Sequence, residues 1–232
     1  MNDLWGAVGH AVHLLVTGED YVWEIAARSL FVSGLSTLLA AVVGIPLGSL
    51  VGLKRFPGKR LVVTLLNMGM ALPPVVVGLF VYLLLSVSGP LGFLRLLYTP
   101  WAMILAQTVL AGPMIAALTV SAVMSANPAI RQTALSLGAT SWQATLTLLV
   151  ESRFAMGAAL VAGFGAVISE VGAVMMVGGN IAHSTRVMTT AIMLETGKGD
   201  FQLAIALGLL LLLLAFVVNL GLHALQHGRQ PA

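Results

Sequence analysis

Hydrophobic positions in this chain fall into long runs, with no strict alternation of the kind a half-buried strand shows. Residues 30–53, 61–86, 99–124, 154–177 and 201–225 form five runs, and Glu170 is the single charge inside them. Each run is long enough to cross about 30 Å of hydrocarbon as a helix. The pattern predicts an all-α polytopic membrane protein with five transmembrane helices. Residues 1–29 are interrupted by Asp3, Glu19, Asp20, Glu24 and Arg28, and are expected to form an extracytoplasmic, interfacial segment rather than a span. Trp5, Leu14, Leu15, Tyr21, Trp23 and Ile25 supply its apolar and aromatic anchors. Residues 226–232 form a short tail.

Composition narrows the class. Of 232 residues, 11 are Lys or Arg and 8 are Asp or Glu, while 59% are hydrophobic. An average soluble domain is about a quarter charged. A chain with this composition cannot clothe a globule in solvated side chains, which excludes a soluble enzyme and a disordered protein. There is no cysteine, hence no disulfide or thiolate site. The net charge of +3 sits in short loops, as topology signals rather than as a face for nucleic acid. Lys54-Arg55-Phe56-Pro57-Gly58-Lys59-Arg60 is the densest basic segment and is placed in the cytoplasm by the positive-inside rule, giving N-out, C-in. His10, His13 and His183 have no second ligand at useful spacing, which argues against a metal site.

The runs are not plain anchors. Gly44, Gly48 and Gly52 recur every four residues, a spacing that lets helices approach closely in lipid; the sequence leaves open whether the partner helix is in the same chain or a second copy. Pro73-Pro74 and Gly112-Pro113 are expected to kink their spans.

The segment 127–151 carries the densest local chemistry. Asn127 suits an N-cap, Pro128 the first helical position and Gly138 a helix stop. Thr140 and Gln143 form a capping box that starts a second helix, with Trp142, Leu146 and Leu149 on one side. Two short helices meeting at an elbow, with an apolar ridge in the cytoplasm, suit docking into another protein.

This segment resembles the coupling motif of ABC importer permeases, which reads Glu-Ala-Ala, three residues, Gly, nine residues, Ile, one residue, Leu-Pro. Here Gln132-Thr133-Ala134, Gly138, Leu148 and Val150-Glu151 occupy that frame, with Ala134 and Gly138 as strict matches. A second stretch, Ser169-Glu170-Val171-Gly172 through Gly178-Gly179-Asn180-Ile181, resembles molybdate and tungstate permeases. Its continuation, Thr185-Arg186-Val187-Met188-Thr189-Thr190, is most like the tungstate permeases. The resemblance covers about residues 25–225.

It implies a type I importer transmembrane domain in the cytoplasmic membrane of a bacterium or archaeon, working as a homodimer. The partners would be two cytoplasmic ATPase subunits and an extracytoplasmic tungstate-binding protein. The substrate would be tungstate, with molybdate or another oxyanion as the alternative. The chain itself would be no enzyme and bind no cofactor, since ATP and Mg belong to the partner ATPase. Consistently, Gly58-Lys59-Arg60 fails as a phosphate loop, with Leu53 where a glycine is required and Arg60 where Ser or Thr is. The resemblance puts ATPase coupling on Gln132, Thr133, Ala134, Gly138, Ala139, Trp142 and Leu146.

A tetrahedral dianion in bare hydrocarbon costs tens of kcal/mol, so a passage must offer donors. Candidates are Asn180, Ser184, Thr185, Arg186, Thr189 and Thr190, with the backbone of Gly178 and Gly179, and Pro73 and Pro74 as kinks. The competing reading is an ordinary polar loop. Glu170 would repel an anion, so it is expected to be protonated, paired or bonded to backbone at a gate rather than to bind substrate. A secondary transporter or channel is the rival from another class, although Glu170 is the only charge in a span and five spans cannot form inverted halves without dimerisation.

Overall fold

The computed structural model describes Gly9 and residues 20–227, with side-chain surroundings to residue 221. Among these residues there are ten α-helices and no strand. In chain order they are α1 (Asp20–Leu53), α2 (Lys59–Met70), α3 (Pro74–Leu85), α4 (Pro100–Met124), α5 (Pro128–Ser136), α6 (Ser141–Glu151), α7 (Arg153–Ile168), α8 (Gly172–Gly178), α9 (Met188–Lys198) and α10 (Phe201–His227). A single 3-10 turn, Gly92–Leu94, lies between α3 and α4.

Three helices, α1, α4 and α10, are each long and apolar enough to cross a membrane; α2 with α3 and α6 with α7 qualify as bent pairs, making up to five crossings. The bends are 96° and 53°. The 96° turn follows from Pro73-Pro74. Leu72 precedes a proline and is pushed out of helical geometry, and Pro73 sits extended (φ −62°, ψ 123°) as the N-cap of α3, with Pro74 in its first turn. At Gly112-Pro113 the helix is not interrupted, and Pro113 lies inside a continuous α4.

Helix α1 starts at Asp20, ahead of the expected beginning at residue 30. Its charges do not stop it because Glu24 and Arg28 pair at i,i+4 (2.5 Å) while Val22, Ile25 and Ala26 are buried on the other side. At 34 residues, or about 51 Å, it exceeds the hydrocarbon thickness, and Asp20, Glu24 and Arg28 make its first turns the part least suited to hydrocarbon. The anchors at Trp5, Leu14 and Leu15, and residues 228–232, lie outside the described residues.

The packing inverts the soluble pattern. Along α1 the small residues Ser29, Ser33, Ser36, Ala40, Gly44 and Gly48 face inward, while Phe31, Leu38, Val42 and Leu47 face outward. Lipid is as apolar as leucine, so close backbone approach favours small residues inside. The Gly44/Gly48/Gly52 row packs on α4 of the same chain. A methyl group at Gly48 would stand 2.5 Å from the Ala116 carbonyl oxygen, and one at Gly44 3.1 Å from that of Gly112. The main core joins α1, α3, α4 and α8 through Val32, Val81, Met103, Ile104, Val174 and Val177. A second joins the start of α1 to α9 and α10 through Ile25, Met188 and Leu207.

Candidate functional site

The elbow forms as its caps dictate. The Asn127 side chain accepts from Ala129 N (2.9 Å) at the start of α5. Gly138 takes φ +86°, a left-handed conformation that side chains resist, and turns the chain after α5. Thr140 N donates to Gln143 Oε1 (2.8 Å) and Gln143 N to Thr140 Oγ1 (3.3 Å), closing the capping box of α6. Arg131 donates to Ser141 Oγ (3.1 Å), bracing α5 against α6.

On α6, Ala144 and Leu148 are buried toward the protein, while Trp142 (68% exposed), Leu146 and Val150 face outward, with Leu149 half-buried between. Leu137, at the tip, is 83% exposed. Gln132, Thr133 and Gly138 are exposed, and Ala134 and Ala139 half-buried, so the sequence-derived coupling residues share one projecting surface.

The second constellation surrounds Glu170. The apolar run 154–177 is not one helix: α7 ends at Ile168 and α8 starts at Gly172. Glu170 sits in this break, and its carboxylate closes it. Oε1 accepts from Ala173 N (3.1 Å) and Oε2 from Val174 N (3.2 Å), two of the N–H groups that the start of α8 leaves without partners. Glu170 is 9% exposed. Thr189 Oγ1 donates to the Glu170 carbonyl oxygen (2.9 Å), tying α9 to the break, and Gln107 Nε2 donates from α4 to the Val167 oxygen (2.8 Å). Of the expected roles for Glu170, the backbone-bonded one describes its geometry.

Pro73-Pro74 lies beside the break. A methyl at Gly172 would meet Val75 Cγ2 at 2.6 Å, and one at Gly78 would meet Ala173 Cα at 2.6 Å, so α3 and α8 run in near-backbone contact.

The polar residues beyond α8 bond to one another. Thr185 is fully buried; its hydroxyl donates to the Gly178 oxygen (2.6 Å) and accepts from Ile181 N (2.9 Å). Thr190 Oγ1 accepts from Val187 N (3.1 Å) at the start of α9. Asn180 and His183 hold left-handed backbone (φ +51° and +58°), as does Gly179 at +70° against the Tyr98 ring. Arg186 donates through Nε to Asn180 Oδ1 (3.2 Å) and also to the Tyr21 hydroxyl. Arg28 donates to the Arg186 carbonyl oxygen (3.2 Å). Glu24 Oε2 lies 2.8 Å from His183 Nδ1, a carboxylate partner invisible to local spacing because it is 159 residues away. Hydrogen bonds from Arg28 and then His183 hold the Glu24 carboxyl below its ordinary range. This loop is thus latched to the start of α1. Ser29 (accepting from Met188 N, 2.8 Å) and Gln107 are positioning residues that sequence reasoning did not single out, and Tyr21, expected as an interfacial anchor, holds Arg186. A glutamine inside an apolar run was the available signal for Gln107.

The sequence profile described as binding-protein-dependent transport system inner membrane component matches residues 44–229. The tungstate uptake system permease protein TupB of Peptoclostridium acidaminophilum is 44% identical over 216 residues, covering 93% of this chain and 95% of that protein. A probable anion ABC transporter permease protein of Haloferax volcanii is 46% identical over 204 residues, covering 86% of this chain and 88% of its own. Among solved structures, a bacterial ABC transporter involved in the import of the acidic polysaccharide alginate superposes with a TM-score of 0.72 at 22% identity, covering 96% of this chain and 84% of that one. At that identity the likeness concerns the fold: the transmembrane domain of an ABC importer.

Proposed function

The chain belongs to the family of binding-protein-dependent transport system inner membrane components, and from that premise we propose that it is the permease subunit of an ATP-driven tungstate importer working by alternating access. The observation that carries the substrate is the near-full-length identity to a tungstate permease.

Two copies form the pathway, an isologous pair being the common solution for a bundle of up to five crossings. Two cytoplasmic ATPase subunits bind ATP and Mg and receive the elbow. The exposed Trp142, Leu146 and Leu137 ridge supports this, because an apolar surface on a projecting cytoplasmic element gains by burial in a partner. An extracytoplasmic binding protein delivers the dianion at the opposite end.

Movement of the elbow reaches the membrane through α6 and α7, which are joined by the 53° bend at Ser152. At the far end of α7, the break at Glu170 lies against Pro73-Pro74. Bends that already interrupt the helices there make this contact the gate: α3 and α8 can reorient without breaking a continuous helix. Glu170 serves as a built-in anion that completes α8. Gly178, Gly179, Asn180, Thr185, Arg186, Thr189 and Thr190 shape the outer mouth, their polar groups being engaged with one another.

The test is ATP-dependent tungstate uptake into vesicles holding this chain, its ATPase and its binding protein, with molybdate as competitor. Uptake that needs ATP and resists excess molybdate supports the reading. Uptake equally blocked by molybdate replaces tungstate by a broader oxyanion class. Uptake that ignores ATP and follows an ion gradient overturns the importer reading.

A further inference from the structure

Helix α2 carries a stripe at membrane depth that the chain itself does not cover. It begins at the basic connector 54–60 and ends at the Pro73-Pro74 turn, rising about 18 Å, roughly the inner half of a bilayer. None of its residues is buried. Val62, Leu66 and Gly69 are half-buried, with Gly69 against Pro113 of α4. The remaining arc divides into two. Leu61, Leu65 and Met68 are 63, 56 and 61% exposed, as suits lipid. Beside them Arg60, Thr64 and Asn67, at i, i+4 and i+7, are exposed on one face.

Within the described residues no hydrogen bond engages Thr64 Oγ1 or the Asn67 amide. Serine and threonine elsewhere in the spans are mostly bonded back to a preceding carbonyl, as at Ser29, Ser36, Thr37 and Thr108. An uncovered amide and hydroxyl at this depth do not face hydrocarbon; they face a wet cavity or another protein. The stripe opens toward a hollow of about 870 Å³ lined by Arg55, Lys59, Arg60 and Thr64, with apolar Val63 and Met124. No carboxylate pairs with these cations among the described residues. Lys59 is engaged, its Nζ donating to the Gly52 (2.8 Å) and Lys54 (3.2 Å) oxygens at the end of α1.

We propose that Arg60, Thr64 and Asn67 line the inner half of the passage, taking a tetrahedral oxyanion dianion from the gate at Pro73-Pro74 to the cationic mouth. This rests on the importer reading above. Neutral donors followed by an unpaired arginine suit onward movement, since each site offers a few hydrogen bonds and none encloses the ion. The stripe was inconspicuous in the sequence because Thr64 and Asn67 are isolated in an apolar run and acquire a common face only with the helix register.

The absence of cysteine permits a direct test on the complete transporter in vesicles, with ATPase and binding protein present. Thr64→Cys, Asn67→Cys, Leu65→Cys and Met68→Cys are each exposed to a negatively charged methanethiosulfonate, and labelling is read on this chain. The reagent needs a thiolate, which water supports and lipid suppresses. Positions 64 and 67 are expected to label about tenfold faster than 65 and 68, and tungstate with ATP to slow that labelling. Asn67→Asp, which sets a carboxylate in the path, should lower tungstate uptake about tenfold against wild type. Equal labelling of both arcs overturns the proposal. So does a disulfide between two copies of Asn67→Cys with no labelling, which makes the stripe a subunit interface. Cysteine variants that label as expected, in a transporter whose wild-type complex fails to accumulate tungstate, overturn the substrate assignment, and with it the ligand named here, while the wet face stands.

Discussion

Replacing Glu170 tests whether its charge holds the backbone or handles cargo. The carboxylate accepts from Ala173 N and Val174 N, one oxygen to each, inside a site that is 9% exposed. Glu170→Gln keeps one acceptor and turns an NH₂ toward the second N–H. A hydrogen bond to a charged group contributes about 1.5–3 kcal/mol, so the cost is about 2 kcal/mol. Glu170→Leu leaves two buried N–H groups unpartnered, each costing about 1–3 kcal/mol, or roughly 4 kcal/mol together. For a chain of this size 1 kcal/mol corresponds to about 2–4 °C in Tm. The purified complex should therefore melt about 4–8 °C lower with glutamine and about twice that lower with leucine. Uptake should fall in the same order, with glutamine retaining measurable transport. A glutamine variant with wild-type Tm and no transport would refute the capping argument and assign the charge to protonation or to cargo. A leucine variant with unchanged Tm would refute it equally.

Three further outcomes follow from the geometry. Because Arg28 and His183 hold the Glu24 carboxyl low, its contribution to the loop latch is complete above the ordinary carboxylate pKa and is lost as pH falls through the lowered value; labelling of Ser184→Cys, taken as a ratio to that of the exposed Val87→Cys at the same pH so that thiol protonation cancels, should rise at that acid edge, and Glu24→Gln should remove the rise. Gly48→Val forces a methyl toward the Ala116 oxygen and Thr119, so it should destabilise the bundle by about 1–3 kcal/mol, whereas Gly34→Ala, with nothing within 4 Å, should leave Tm unchanged or slightly raised. Gly138→Pro, incompatible with φ +86°, and Trp142→Asp, which charges the exposed ridge, should each abolish ATP-driven uptake while membrane insertion persists; wild-type ATPase association and uptake in both would remove the elbow from coupling.

The elements that local chemistry encodes were legible in the sequence. Asn127, Pro128, Gly138, Thr140 and Gln143 act over three or four residues, and each takes its expected place. Run length and charge gave the apolar helices for the same reason. What escaped depends on partners far away in the chain. The break at residues 169–171 is invisible in an apolar run, because glycine and small residues are common in membrane helices; it exists where Gly172 and Gly78 let α3 and α8 touch. Helix α1 begins early because Glu24 finds Arg28 and His183, and only the first is local. The glycine row was legible as a contact surface but not as a contact with α4, since small-residue spacing carries no partner identity.

The same division explains why the richest polar segment is not the most open one. Residues 178–190 concentrate amides, hydroxyls and an arginine, and a sequence reading counts them as donors for an anion. A fold must first satisfy its own irregular backbone, and a loop near the membrane has few waters to do so. Thr185, Thr190, Asn180 and Arg186 are engaged in that task, bonding the turn between α8 and α9. A regular helix satisfies its backbone internally, so polar side chains on α2 have no such duty. Donors for a passing dianion are therefore better sought on sparse, helical and solitary positions than in dense polar loops. That inversion makes Thr64 and Asn67 more informative about transport than the cluster that attracts notice first.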